Sequence, residues 1–118
     1  MKSDIFADEI LPLNKGYQFD YIFTSLCLEG CCTTQADYDN GITKLAKLMK
    51  SGGFIMQLCV LNQNEYDLDG VKIPSLCVSF EDAKAAWVKA GCVIVEIRHL
   101  PNIAPGKEIG VCTILARK

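Results

Sequence analysis

Two stretches of the chain are apolar on consecutive positions and not merely on alternate ones. Phe19–Leu26, with Tyr21, Ile22, Phe23 and Leu26, and Phe54–Leu61 are each a nearly continuous run rich in β-forming residues. A run apolar on both sides suits a strand covered on both faces, as in a parallel sheet. Between them, from Thr34 to Lys50, Tyr38, Ile42, Leu45 and Leu48 or Met49 recur at helical spacing, while Asp37, Lys44, Lys47 and Lys50 take the other face. Acids early and lysines late agree with the helix dipole. Ser51-Gly52-Gly53 is expected to end that helix, because glycine takes the left-handed backbone at little cost. A strand, a helix and a strand in this order form a crossover that sets two parallel strands side by side, almost always right-handed.

The remaining chain is patterned in shorter pieces. Lys2–Gly16 mixes apolar and acidic residues with Pro12 and an Asn14-Lys15-Gly16 turn, and reads as a loop leading into the first strand. Asn62–Gly70 is polar and turn-rich, and Val71–Val78 reads as a short strand around Pro74. Ser79, three residues before Asp82, predicts the start of a helix running to Ala90 with Phe80, Ala83, Trp87 and Ala90 on its buried face and Gly91 as its stop. Val93–Leu100 and Val111–Arg117 are two further strands. The segment Pro101–Gly110 between them is too short for a crossover helix, so they are expected to be antiparallel neighbours.

Composition narrows the picture. A chain of 118 residues is expected to hold one domain and one core. Half of its residues are hydrophobic, more than a small soluble domain needs, which points to apolar surface meant for a neighbour. The net charge is −2 and the basic residues are scattered, so no stripe is available to neutralise phosphates and nucleic acid is not an expected partner. No apolar run reaches the roughly 18 residues a membrane-spanning helix requires, and the opening MKSDIFADEI carries acids where a targeting peptide carries bases. A cytoplasmic chain without a membrane partner is expected. The cysteines number seven, an odd count, and Cys27, Cys59, Cys92 and Cys112 lie in apolar strand-like runs, so reduced thiols serving as small hydrophobes are expected in preference to disulfides.

The local sequence then becomes specific. Ser25-Leu26-Cys27-Leu28-Glu29 resembles the strand end that meets substrate and cofactor in the nicotinamide, phenylethanolamine and thioether methyltransferase family. Lys50-Ser51-Gly52-Gly53-Phe54 resembles that family's Lys-Pro-Gly-Gly-Phe turn with Ser51 in place of proline, and the segment from Gly110 to Lys118 resembles its closing strand. The likeness covers nearly the whole chain. It implies an α/β fold, the C-terminal half of a Rossmann-like S-adenosylmethionine-dependent methyltransferase sheet, mostly parallel with a reversed final strand. It also implies S-adenosyl-L-methionine as the cofactor of the complete enzyme and a small-molecule amine or nitrogen heterocycle as the methyl acceptor. On the cofactor side, Asp4 and Ile5 fall where the family contacts adenine, and Ser25 matches a threonine of the cofactor pocket. On the acceptor side, Gly30, Cys59, Val60, Tyr66 and Ser75 fall at positions that line the family's substrate pocket. Cys59 stands where the nicotinamide-specific enzyme has an aspartate that holds the substrate amide. A thiol cannot replace that carboxylate, which argues against nicotinamide without arguing against methyl transfer, since alignment and exclusion of water do most of the work in that reaction.

Residues 1–118 contain no glycine-rich loop after a first strand, and the only paired glycines, Gly52-Gly53, precede a strand. The chain is therefore expected to be a single partial domain lacking the N-terminal cofactor-binding half, and inactive alone. Phe19–Leu26 would then present an unpaired edge through which two copies self-associate. The alternative reading is a truncated, non-catalytic paralogue that acts as an interaction or dimerisation module. Cys27, Cys31 and Cys32 cluster in sequence as soft-metal donors, with His99 as the candidate fourth ligand. The second ligand pair that a zinc site needs is absent, so no metal is expected.

Overall fold

The computed structural model describes residues 5–7, 18–101 and 109–118. Among the described residues six strands and three helices follow one another: β1 (Phe19–Ser25), α1 (Leu28–Cys31), α2 (Gln35–Lys47), β2 (Met49–Leu61), β3 (Glu65–Leu68), β4 (Val71–Pro74), α3 (Phe80–Lys89), β5 (Val93–Leu100) and β6 (Gly110–Arg117). The main sheet has the order β1-β2-β6-β5, and β3 and β4 form a separate hairpin. β1 and β2 are parallel, as the crossover pattern requires. β6 runs against both of its neighbours, so the last two strands are antiparallel as expected.

One expectation about the fold needs correction. The sheet is α/β but mixed, not mostly parallel: of its ladders only β1/β2 is parallel. The reversed strand is inserted between β2 and β5, so a single reversal makes two ladders antiparallel.

A second correction concerns the glycine pair. α2 ends at Lys47 with Leu48 as its C-cap, and Ser51-Gly52-Gly53 lies inside β2. The Leu48 carbonyl accepts from the N–H of Phe19 at 2.7 Å, and strand pairing has already begun at Met49. The pairing jumps from Phe19–Met49 to Tyr21–Phe54, so residues between them bulge out of the ladder. Gly52 has φ +82, and a Cβ on Gly53 would stand 2.9 Å from the Lys50 carbonyl and 3.0 Å from that of Asp20. The bulge is tied to the chain's last residue: Gly52 N–H donates to the Lys118 carbonyl at 3.0 Å and Lys118 N–H to the Gly53 carbonyl at 2.9 Å.

The helix starts follow the sequence closely. Thr34 Oγ1 accepts from Asp37 N–H and Ser79 Oγ from Asp82 N–H, each at 3.1 Å, which satisfies amides that helix geometry leaves free. Gly91, at φ +89, follows α3. Among the described residues no helix is long and apolar enough to cross a membrane.

α2 and α3 pack against each other and onto one face of the sheet. Alternate residues of β2 (Ile55, Gln57, Cys59 and Leu61) and of β6 (Cys112, Ile114 and Ala116) are buried there with Tyr38, Ile42, Ala83, Ala86 and Trp87. The core holds a short polar chain. Trp87 Nε1 donates to Gln57 Oε1 at 2.7 Å, Gln57 Nε2 donates to Tyr38 Oη at 2.9 Å, and Tyr38 Oη lies 3.8 Å from Cys59 Sγ. The opposite face of the sheet carries Tyr21, Phe23, Phe54, Met56 and Leu115 around a shallow groove of about 500 Å³, and no described helix packs there.

Candidate functional site

The carboxyl ends of β1 and β2 are strained at adjacent points. Leu26, just past β1, has φ 51, and Asn62, just past β2, has φ 59. A leucine in the left-handed region costs about 1–2 kcal/mol. Such residues persist where surrounding bonds over-determine them, often at functional sites. Here the bonds are visible: Leu26 N–H donates to the Leu58 carbonyl and Asn62 N–H to the Val78 carbonyl, both at 2.9 Å. The two turns splay the chain apart and open a cleft between α1, the end of β2 and the β3–β4 hairpin.

That cleft has a volume of about 320 Å³ and is lined by Leu26, Glu29, Gly30, Val60, Gln63, Tyr66 and Ser75. The hairpin is closed by Asp69-Gly70, with φ 52 and 82, the two-residue turn that matches strand twist. It is fastened to α1 by backbone and side chain together: Leu76 N–H donates to the Glu29 carbonyl at 2.8 Å, and Ser75 Oγ donates to the same carbonyl at 3.1 Å. Tyr66, opposite Ile73 in the hairpin, forms the outer wall.

Glu29 is the chemically unusual member. It is only 4% exposed, its Oε1 accepts from Val60 N–H at 3.2 Å, and its Oε2 is the one buried side-chain oxygen or nitrogen without a partner among the described residues. Burial pushes its carboxyl above the usual range, and hydrogen bonds from backbone amides and from the Cys59 thiol only partly offset this. Behind it, the Cys59 thiol is held protonated by its contact with Cys112 and by burial. Burial likewise pushes the Tyr38 hydroxyl up.

The structure gathers four of the residues expected from sequence, Gly30, Val60, Tyr66 and Ser75, into one wall. Ser25 lies beside the cleft, exposed at the end of β1 and paired with Leu58. Ile5 and Cys59 are not in the wall. Ile5 packs on α2, with Cγ1 3.1 Å from where a Cβ on Gly41 would stand, and Lys44 Nζ holds the carbonyls of Ile5 and Ala7 at 3.2 and 2.7 Å. Cys59 points into the helix layer because the period of the strand puts it on the face opposite Val60. Asp4 lies outside the described residues. Leu26, Glu29 and Gln63 were missed by sequence reasoning. The signal for Glu29 was a lone acid in the run Leu26-Cys27-Leu28-Glu29-Gly30, where little else could solvate a charge. Among the described residues no group of three or more histidine, cysteine, aspartate or glutamate side chains is arranged to hold a metal ion.

The chain resembles known proteins along its whole length. The model of the NNMT/PNMT/TEMT family matches residues 1–118. Over 75 residues it is 31% identical to the nicotinamide N-methyltransferase of Sus scrofa, which covers 64% of this chain and 28% of that protein. Over 104 residues it is 27% identical to the indolethylamine N-methyltransferase of Oryctolagus cuniculus, covering 84% of this chain and 39% of that one. The chain thus spans less than half the length of these curated relatives. In three dimensions it superposes on an S-adenosylmethionine-dependent methyltransferase from Mesorhizobium loti with a TM-score of 0.69 at 11% identity, over 100% of this chain and 68% of the other. That likeness establishes the Rossmann-like fold and nothing finer.

Proposed function

Since this chain belongs to the NNMT/PNMT/TEMT family, we propose that it forms the acceptor side of an S-adenosylmethionine-dependent methyltransferase site whose methyl acceptor is a small amine. The observation that carries this reading is the unpartnered Glu29 Oε2 in the cleft wall. A buried carboxylate oxygen without a donor costs about 1–3 kcal/mol or more, and an N–H group placed in the cleft would recover it. A volume of about 320 Å³ suits a small acceptor.

The described residues fit the cofactor at one margin, where the exposed Ser25 hydroxyl stands at the carboxyl end of a sheet strand, the end at which open α/β sheets take their ligands. Ser25 would hold part of it there, and Asp4 and Ile5 keep the adenine-side roles that the family resemblance assigns. S-adenosylmethionine, when bound, supplies an electrophilic methyl group on a sulfonium. The chain's own contribution is to hold and dry the nucleophile. Glu29 Oε2 accepts the amine N–H and favours its approach, Tyr66 and Val60 exclude water, and Gly30 leaves room because nothing lies within 4 Å of a Cβ there. Nicotinamide is disfavoured, because Cys59 offers no carboxylate and faces away from the cleft. Residues 1–118 by themselves would bind the cofactor weakly, since no glycine-rich loop follows a strand within them.

The test is calorimetric titration of tryptamine onto the chain beside its hydroxyl analogue tryptophol. Saturable binding of the amine that is lost in Glu29→Gln is expected, and equal binding of the two ligands would overturn the reading.

A second reading is favoured by the open face, where Tyr21 is 76% and Phe23 67% exposed on β1, the edge strand of the sheet among the described residues. In it, a second copy of the chain pairs antiparallel along β1. A two-fold axis at Ile22 would set Tyr21 against Phe23 of the second copy and Asp20 against Thr24, an aromatic pair with no like charges opposed. Light scattering across a concentration series decides it, a monomer throughout being the adverse result.

A further inference from the structure

Cys27 and Cys31 stand one helical turn apart beside the cleft. Cys27 caps α1 with helical backbone angles (φ −108, ψ −57), its carbonyl accepts from Cys31 N–H at 3.1 Å, and both side chains are exposed. Leu26 and Gly30, which line the cleft, belong to the same turn. Side chains four apart on a helix are neighbours, with Cβ atoms about 5–6 Å from each other. A disulfide needs its Cβ atoms about 3.5–4.5 Å apart, so this pair cannot close on itself without unwinding the turn. One soft atom bonded to both sulfurs spans the difference. The thiols already sense one another, since burial and then Cys31 push the Cys27 thiol up.

A third thiol, Cys32, adjoins Cys31 but is closed off by burial. Burial followed by its contact with Cys31 pushes it up to about 12. His99 is on β5, stacked on Phe80 with ring centroids 4.4 Å apart. With two accessible sulfurs and no further accessible donor grouped with them among the described residues, the turn does not suit zinc, which takes four ligands. It suits a centre that uses two sulfurs and carries its remaining valence elsewhere.

We propose that Cys27 and Cys31 form a dithiol clamp for trivalent organoarsenicals at the rim of the cleft. In the binding step two As–S bonds form, the arsenic–oxygen bonds of the arsenoxide break, and both thiol protons leave with that oxygen as one water molecule. Arsenic stays trivalent and the sulfurs stay at the thiol level, so no oxidant or reductant is required. Neutral thiols go in and neutral water comes out, so the raised Cys27 pKa does not oppose this equilibrium. Alkylation, which needs the free thiolate, is slowed at Cys27.

The test is intact-mass spectrometry of the reduced full chain with phenylarsine oxide, under non-denaturing conditions. A single adduct is expected at the mass of the reagent less one water, retained against excess glutathione and stripped by 2,3-dimercaptopropanol. Cys27→Ser and Cys31→Ser should each lose it, while Cys77→Ser and Cys32→Ala keep it, with circular dichroism confirming that every variant is folded. The proposal is overturned by an adduct that survives in either serine variant, by one that Cys32→Ala abolishes, or by a wild-type adduct that glutathione removes. None of these readouts depends on methyl transfer or on amine binding.

Discussion

The two faces of the main sheet are built from the same strands and differ in almost everything else. The face under α2 and α3 buries Ile55, Cys59, Leu61, Ile114 and Ala116 and spends its polar groups on each other through Trp87, Gln57 and Tyr38. The other face is also apolar over β1 and β2, with Tyr21 and Phe54 stacked at 6.0 Å and Phe23 and Met56 beside them, before it turns polar at Glu96 and Arg98 of β5, yet it stands open. Hydrophobicity alone therefore does not mark the core of this molecule. Cover does, and cover comes from two helices whose capping and periodicity fix where they lie. The cleft sits at the strand ends where the faces meet, and its acid, Glu29, is buried in the cleft wall.

The contrast predicts unequal responses to substitution. Trp87→Ala should be the most damaging, costing about 3–5 kcal/mol for a fully buried aromatic, with urea unfolding as the measurement. A loss under 1 kcal/mol would mean that the covered face is not closely packed. Gln57→Leu should cost about 1–3 kcal/mol, because it leaves the Trp87 indole N–H and the Tyr38 hydroxyl buried without their partner. Adding Tyr38→Phe should then cost little more, a coupling that a double-mutant cycle reads directly.

At the junction, Glu29 gives a pH signature. Its folded-state pKa is raised by burial, so the folded chain holds the proton more tightly than the unfolded one. Its stabilising share is complete below the ordinary carboxylate pKa of about 4.3, and it is lost as pH rises from there through the raised value. Unfolding curves for wild type and Glu29→Gln between about pH 4 and pH 8 should diverge in slope, and parallel curves would show that Oε2 is solvated. Amine binding should move the opposite way, weakening as pH falls and the carboxyl takes its proton. The smallest stability effect is expected on the open face. Phe23→Lys should change the stability of the chain by about 0.5 kcal/mol or less while removing any association through β1, and a cost near that of Trp87→Ala would mean that this face is covered after all.

Much of this was legible in the residues. The parallel β1/β2 pair, both long helices, the Thr34 and Ser79 starts and the final antiparallel pair all follow from period and turn chemistry, because those signals are local. The sequence places β4 within the short strand Val71–Val78, but not its partner β3, which lies in the polar stretch Asn62–Gly70 although Asp69-Gly70 carries a hairpin signal. Gly52-Gly53 was misread as a helix stop. Nothing near it in sequence reveals that Phe19 on β1 and Lys118 just past β6, the strands that flank β2, would claim the backbone on either side and draw it into β2. The same holds for the site. Gly30, Val60, Tyr66 and Ser75 could be named from motif positions, whereas Glu29 became distinctive only once the Val60 amide, the hairpin and α1 had closed around it.

The sequence by itself determined the four strands of the main sheet, the two long helices with their starts, and the family to which the chain belongs, since these rest on spacing and on short motifs. The tertiary structure alone decided the place of the reversed strand between β2 and β5, which apolar face is covered, and which carboxylate oxygen lacks a partner. Each of those depends on contacts between residues distant in the chain, and desolvation has no meaning until the atoms that exclude water are in place.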